Sequence, residues 1–213
     1  MLQAINFKEE KFVLHSFKEI YEEAFPKSER VPLFLLKRAA KTPRADCVVF
    51  FEKTQDLHDR KYENSVEKEK RGRTGERKAV GIAYFSHGKD FTYLFFLAVQ
   101  KEARGKHYGS QILQIAKELF PNRRICLNIE ELDENAADFS LRVRRKRFYE
   151  KNGFVPCGYK VIENKIVFEM FSYGGKVSYE EYREMLDKCF GLIFSRLYSK
   201  FYALCEKSPY NET

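Results

Sequence analysis

Two rhythms of apolar and polar positions divide the chain into helices and strands. Near the N-terminus, Phe12, Val13, Phe17, Ile20, Tyr21 and Ala24 recur at helical spacing, which predicts a helix over residues 12–25 that Pro26 stops. The segment Ser28-Glu29-Arg30-Val31-Pro32 leads into a second helix at 33–40. After Pro43 the pattern shortens to strands at 46–52 and 79–86, and His87-Gly88-Lys89-Asp90 makes a turn. Residues 91–99 are aromatic and apolar almost without interruption, which suits a strand buried on both faces. Tyr108, Ile112, Leu113, Ala116, Leu119 and Phe120 then return to helical spacing. Gln111, Gln114, Lys117 and Glu118 fill the opposite face, and Pro121-Asn122 ends the helix.

A strand at 125–129, an acidic loop and a helix at 139–151 follow, and strands at 159–162 and 166–171 pair across Glu163-Asn164-Lys165. Ser178 and Glu181 form a capping box that opens a last helix. Its apolar stripe runs through Tyr179, Tyr182, Leu186, Cys189, Ile193, Leu197, Phe201 and Leu204, with Gly191 as a weak point. The expected organisation is one domain over 1–175 and a helical extension over 176–213 packed on it, with a dimer contact or a lid as alternatives. Residues 53–78 carry nine Lys/Arg and six Asp/Glu, too polar to pack alone, and read as an insertion or mobile hairpin. No internal repeat is present.

The junction between the strand at 91–99 and the following helix holds the most specific chemistry. Arg104, Gly105, Lys106, His107, Tyr108, Gly109 and Ser110 bring two glycines and two cations to a helix N-terminus, where exposed N–H groups can cradle a phosphate. The Walker A pattern occurs nowhere in the chain, and the three-glycine dinucleotide pattern fails because only Gly105 and Gly109 are present. The segment resembles instead the acyl-CoA signature of the GNAT superfamily of N-acyltransferases. That signature reads Arg or Gln, two residues, Gly, one residue, Gly or Ala, after a strand that often reads Leu-x-Val. Leu97-Ala98-Val99, Arg104 and Gly109 match it, and His107 stands where the family usually has Gly. A left-handed backbone at that position costs a non-glycine residue roughly 1–2 kcal/mol, although His is among the residues enriched there. Its side chain would either crowd a pyrophosphate or donate to it.

A second match, Tyr149-Glu150-Lys151-Asn152-Gly153-Phe154, is similar to the end of a helix common near the C-terminal side of that family's domain. Gly153 is also a sensible helix terminator on local grounds, with Phe154 as the apolar contact after it. The resemblance implies an α/β (α+β) GNAT-like fold, a mixed, mostly antiparallel twisted sheet that splays beside the cofactor strand and is flanked by helices. It implies acetyl-CoA as co-substrate, held by Leu97, Ala98 and Val99 along the pantetheine arm and by the amides of residues 104–110 at the pyrophosphate. It further implies transfer of the acetyl group to an amine, with Tyr149 as the acid near the sulfur. For the base, Glu130 at a strand end is the candidate, and Glu29 is a second carboxylate that could line the acceptor pocket. Bulk water with proximity alone is the third option.

Composition narrows the remaining classes. The chain of 213 residues carries a net charge of +8, yet the basic run Arg142, Arg144, Arg145, Lys146 and Arg147 follows Glu130, Glu131, Asp133, Glu134 and Asp138. A solvated helix face with local ion pairs is therefore preferred to a nucleic-acid surface. Five Cys without a CxxC pair and four scattered His argue against a disulfide framework and a metal site. No membrane-length apolar run or signal peptide is seen, which places the expected protein in the cytoplasm. The rival function is a non-catalytic acyl-CoA-binding or nucleic-acid-associated module. The acceptor stays open among polyamines, aminoglycoside-like amines, amino acids and protein N-termini.

Overall fold

In the computed structural model, which describes residues 2–27, 29–53, 77–163 and 166–198, the strands join into one seven-stranded sheet. They are β1 (Leu2–Asn6), β2 (Ala45–Glu52), β3 (Ala79–His87), β4 (Phe91–Val99), β5 (Arg124–Glu130), β6 (Val155–Glu163) and β7 (Ile166–Tyr173). Their order is β1-β2-β3-β4-β5-β7-β6, and every neighbouring pair is antiparallel except β4 with β5. The helices of the described residues are α1 (Val13–Ala24), α2 (Leu33–Ala40), α3 (Tyr108–Leu119), α4 (Phe139–Lys151) and α5 (Tyr179–Tyr198). The fold is the expected mixed sheet flanked by helices.

Alternation along the strands sorts the core into two layers. On one face, Phe17, Ile20, Tyr21 and Leu36 of α1 and α2 pack on Val49, Phe51, Tyr84 and Phe96. The same face continues under α5, where Tyr182 and Met185 meet Tyr93, Val161 and Met170. On the other face, Ile112, Leu113 and Ala116 of α3 pack on Phe50, Val80 and Phe85, with Phe148 and Tyr149 of α4 along the rim. The capping box at the start of α5 forms as its spacing predicts. The Glu181 amide donates to Ser178 Oγ at 3.2 Å, and the Ser178 amide donates to Glu181 Oε2 at 2.8 Å.

One irregularity shapes the sheet. Tyr84 of β3 pairs with Phe96 while Phe85 pairs with Leu94, so Phe95 is an extra residue on β4 and bends it. The parallel pairing of β4 with β5 stops just before that bulge, after Phe91, Thr92 and Tyr93 have met Arg124, Ile125 and Cys126. Beyond it the two strands part, and β4 from Leu94 onward has no strand partner on its β5 side among the described residues. This is the splay the sequence resemblance implied.

Two strands differ from the sequence expectation. β1 was not anticipated, because five residues with a single buried pair at Leu2 and Ile5 give too little alternation to register. β6 starts at Val155 rather than at residue 159 because Pro156 and a register break before Lys160 interrupt its period. It is an edge strand of the sheet, where proline is tolerated. Most of the polar insertion, residues 54–76, lies outside the described residues, as do the side chains of the α5 stripe beyond Cys189. No helix among the described residues is long and apolar enough to cross a membrane.

β1 is tied to its neighbours by one carboxylate. Asp46 Oδ1 accepts from Asn6 Nδ2 at 2.8 Å and Lys8 Nζ at 2.6 Å, and Oδ2 lies 2.8 Å from His87 Nε2. Burial opposes its ionisation, but the hydrogen bonds from His87, Lys8 and Asn6 outweigh that and hold the carboxyl well below the usual carboxylate range. A depressed carboxylate stabilises the fold fully above its unfolded pKa of about 3.9 and ceases to do so as the pH falls further. Asp46→Asn should therefore cost about 1–3 kcal/mol in urea denaturation at pH 7. The gap between variant and wild type should narrow progressively as the pH falls below about 3.9, because the unfolded chain's carboxyl gains its proton there while the folded one still holds its charge.

Candidate active site

The turn after β4 gathers unpaired backbone N–H groups into a concave cradle. A single 3-10 turn, Lys101–Ala103, leads to Arg104, and Gly105 and His107 then take left-handed conformations with φ of +84° and +59°. Left-handed residues alternating with right-handed ones gather successive N–H groups into a concave nest. The first helical bond of α3 runs from the Gln111 amide to His107 O, and the amides of residues 105–110 find no acceptor among the described residues. Gly105 has open space where a Cβ would sit, so its glycine serves the backbone angle. At Gly109 a Cβ would lie 3.1 Å from the Phe148 ring, so its glycine serves the approach of α3 to α4.

The flanking side chains of the turn have distinct employments. Arg104 Nε donates to Val99 O at 3.2 Å, which folds the arginine back over the end of β4, and the residue is exposed. Lys106 and His107 are exposed. The Tyr108 hydroxyl is committed to Glu52 at the end of β2, so this residue offers the cradle only its amide. Leu97, Ala98 and Val99 form the wall of a cleft of about 720 Å³ that opens where β4 and β5 part.

The second motif proves to be a helix cap that fixes one side chain. The Gly153 amide donates to Glu150 O at 2.9 Å and the Phe154 amide to Tyr149 O at 3.1 Å, with Gly153 at φ +82°. That is the Schellman arrangement, and buried Phe154 supplies its apolar contact by meeting the Tyr149 ring at 5.8 Å. Tyr149 is thereby held on the cleft wall, with no hydrogen-bond partner for its hydroxyl among the described residues. Burial pushes the phenol up to about 12, against a smaller opposite effect of Arg145, so it stays protonated through neutral pH.

The cleft also collects carboxylates. Glu130 lies in it, but Arg145 pairs with its Oε2 and Arg142 stands 3.9 Å from its Oε1. Glu29 reaches the same cleft from the α1–α2 connection, and burial followed by the charge of Glu130 raises its pKa. A third carboxylate, Glu163 at the end of β6, was missed in the sequence because nothing local marks it. Burial raises it to about 7 even though hydrogen bonds from Tyr182 and Asn128 act in the opposite sense. The basic run of α4 is spent largely on ion pairs. Arg142 holds Asp138 at 2.8 Å, Arg145 holds Glu130, and Lys146 holds Glu169 at 2.8 Å.

Comparison with known proteins bears on this geometry. The sequence model of the Acetyltransferase (GNAT) domain matches residues 66–156, a span that contains both the cradle and the Tyr149 cap. Residues 66–156 thus carry the sequence pattern of a GNAT acetyltransferase domain. Its fold is similar to that of a GNAT-family protein from Bacteroides thetaiotaomicron, with a TM-score of 0.62 and 18% identity over 91% of this chain and 98% of that one. It is also similar to the ribosomal-protein-S18-alanine N-acetyltransferase of Escherichia coli, at a TM-score of 0.51 and 16% identity over 84% and 97% of the two chains. An aminoglycoside 6'-N-acetyltransferase complexed with coenzyme A superposes with a TM-score of 0.54 and 13% identity over 81% and 95%. At these identities the structural likeness speaks for the fold alone. No protein of curated function matches the chain in sequence.

Against the family pattern, His107 is the departure, and its left-handed backbone gives it a measurable cost. His107→Gly should leave stability unchanged or raise it by up to about 1 kcal/mol, as relief of strain offsets the extra freedom of the unfolded chain. His107→Val should lower it by more than about 1 kcal/mol, because a β-branched residue tolerates that conformation least. Urea denaturation of the three proteins compares them directly.

Proposed function

We propose that this chain transfers the acetyl group of acetyl-CoA to a primary amine. The observation that carries the proposal is the continuity of the nest at residues 105–110, the unpaired edge of β4 and the Tyr149 hydroxyl along one cleft. An extended chain with amide groups, such as the pantetheine arm, can add to the β4 edge as a strand would, along Leu97, Ala98 and Val99. The amides of residues 105–110, with the Arg104 and Lys106 cations beside them, suit the pyrophosphate. His107 is exposed and adds a donor at the same place.

Acetyl-CoA supplies an activated acyl group with a thiolate leaving group. The protein's part is to orient the thioester, receive protons from nitrogen and return one to sulfur. As the nitrogen lone pair forms the new bond to the acyl carbon, the carbon–sulfur bond breaks and the sulfur takes the Tyr149 proton. The tyrosinate then recovers a proton from the nitrogen. A phenol kept neutral by burial is suited to this, since it holds its proton until a strongly basic partner appears. The ion pairs on Glu130 suit it to orienting Arg145 within the cleft. An amine acceptor is supported by the carboxylates of the cleft. It is also supported by the breadth of acceptors named for structures of the same fold, a protein alanine in one and an aminoglycoside in another. Cytoplasmic residence is part of the same proposal.

Thermal denaturation with acetyl-CoA tests the reading. A hundredfold excess over Kd should stabilise the protein by about 2.7 kcal/mol, and Arg104→Ala should reduce that gain at fixed ligand concentration. Tyr149→Phe should keep the stabilisation but lower kcat about a hundredfold, measured by thiol release. Absence of any shift at millimolar acetyl-CoA would overturn the proposal.

A further inference from the structure

Glu163 has an arrangement that core packing does not call for. Its Oε1 accepts two hydrogen bonds, from Tyr182 Oη at 2.9 Å and from Asn128 Nδ2 at 2.9 Å. Its Oε2 has no partner among the described residues, and the side chain lines the cleft. The two donors come from different elements, α5 and β5, and Tyr182 is itself fixed by its ring against Tyr93 of β4 at 5.2 Å. Glu163 thus reaches the cleft from the face of the sheet that carries α5, whereas Tyr149 belongs to the opposite face. The parting of β4 and β5 opens the sheet between them.

We propose that Glu163 is the proton acceptor for the acceptor ammonium, with Tyr182 and Asn128 as the residues that position it. The inference rests on the transfer reading above. The ammonium gives one proton to Oε2, the freed nitrogen lone pair attacks the thioester carbonyl, and protonated Glu163 later returns that proton to water. Glu130 is already held by Arg145 and Arg142, and Glu29 is exposed on a loop, so neither offers a comparably prepared oxygen. Because Tyr182 lies beyond the matched family span, α5 completes the site rather than merely covering the sheet.

The groups facing Glu163 are Tyr182 from α5 and Asn128 from β5, and no ion pair reaches it among the described residues. Further along the cleft stand Tyr93 on β4, Arg104 after it, Glu130 on β5, and Arg145 and Tyr149 on α4. Lys27, Glu29 and Arg30 stand on the α1–α2 connection, and Asp138 at the start of α4. A carboxyl near pH 7 takes a proton from an amine while remaining ionised in a large share of molecules at neutral pH. Hydrogen bonds to the ionised form lower a carboxyl pKa, so loss of the Tyr182 hydroxyl must raise that of Glu163.

The test is kcat/KM against pH for the full chain with acetyl-CoA and three amines of different basicity, an alanine amide, 2-phenylethylamine and spermidine, each at millimolar concentration. Wild type should show an acidic limb near pH 7 that is common to every amine it accepts. Glu163→Gln should abolish that limb and lower kcat/KM about a hundredfold at neutral pH. Tyr182→Phe should move the limb up by about one pH unit, a change that loss of packing alone would not produce. Glutamine can still accept both hydrogen bonds, and it removes a carboxyl whose raised folded pKa weakens the fold above pH 7. The Tm of Glu163→Gln at pH 8 should therefore be at or above that of wild type, and its acetyl-CoA shift should be unchanged. A Glu163→Gln enzyme with the wild-type rate and limb overturns this inference alone. Silence of wild type with all three amines overturns the transfer reading and this inference together.

Discussion

The parting of β4 from β5 after three residue pairs is the constraint on which the rest of the molecule depends. Had the pairing continued, the backbone of Leu97, Ala98 and Val99 would be satisfied by β5 and closed to any ligand. The extra residue Phe95 prevents this by bending β4 just beyond its last pair. An interior strand thereby acquires an open edge, a condition that proteins ordinarily cover. The cleft, the nest at its end and the opposed positions of Tyr149 and Glu163 all follow from that one departure.

The two sides of the opening are built by different means. On the side of α3 and α4 the geometry is local: two left-handed residues make the nest, and a Schellman cap sets the register of Tyr149. On the side of α5 it is assembled from afar, since Glu163 is reached by a side chain 19 residues later and another 35 residues earlier. The first kind of construction tolerates change elsewhere in the chain. The second makes the ionisation of one carboxyl depend on how well a helix docks.

That contrast explains what the sequence could show. The nest and the cap were legible because a contiguous run of residues specifies each, and glycine is demanded there by backbone angle or close approach. The helices and the central strands were legible because their apolar periods are long. Phe91–Val99 and Phe139–Lys151 fall where the pattern places them. Glu163 was not legible, because beside a turn a glutamate reads as ordinary surface, and its burial exists only once three elements converge. Tyr182 was visible solely as one member of an apolar stripe, since periodicity records the ring and not the hydroxyl. Glu130 was found at its strand end, but the arginines that occupy it are one and more helical turns along α4, where they read as a solvated basic face.

The closed end of the wedge is fastened much more firmly than its mouth. Arg123 donates to Gly88 O and Phe91 O at 2.8 and 2.6 Å, and Arg124 bridges Asp90 and Glu181. From there the part of β4 that pairs with β3 but not with β5, residues 94–99, extends about 20 Å at the usual rise per residue. Over that length a small change of angle at the two arginines is magnified at the mouth. A rotation of roughly five degrees at the arginines displaces the tip by about 1.7 Å, several times the tolerance of roughly 0.5 Å within which reacting groups must be held. The width of the cleft between Tyr149 and Glu163 is therefore set in part at its closed end, by contacts that neither residue makes.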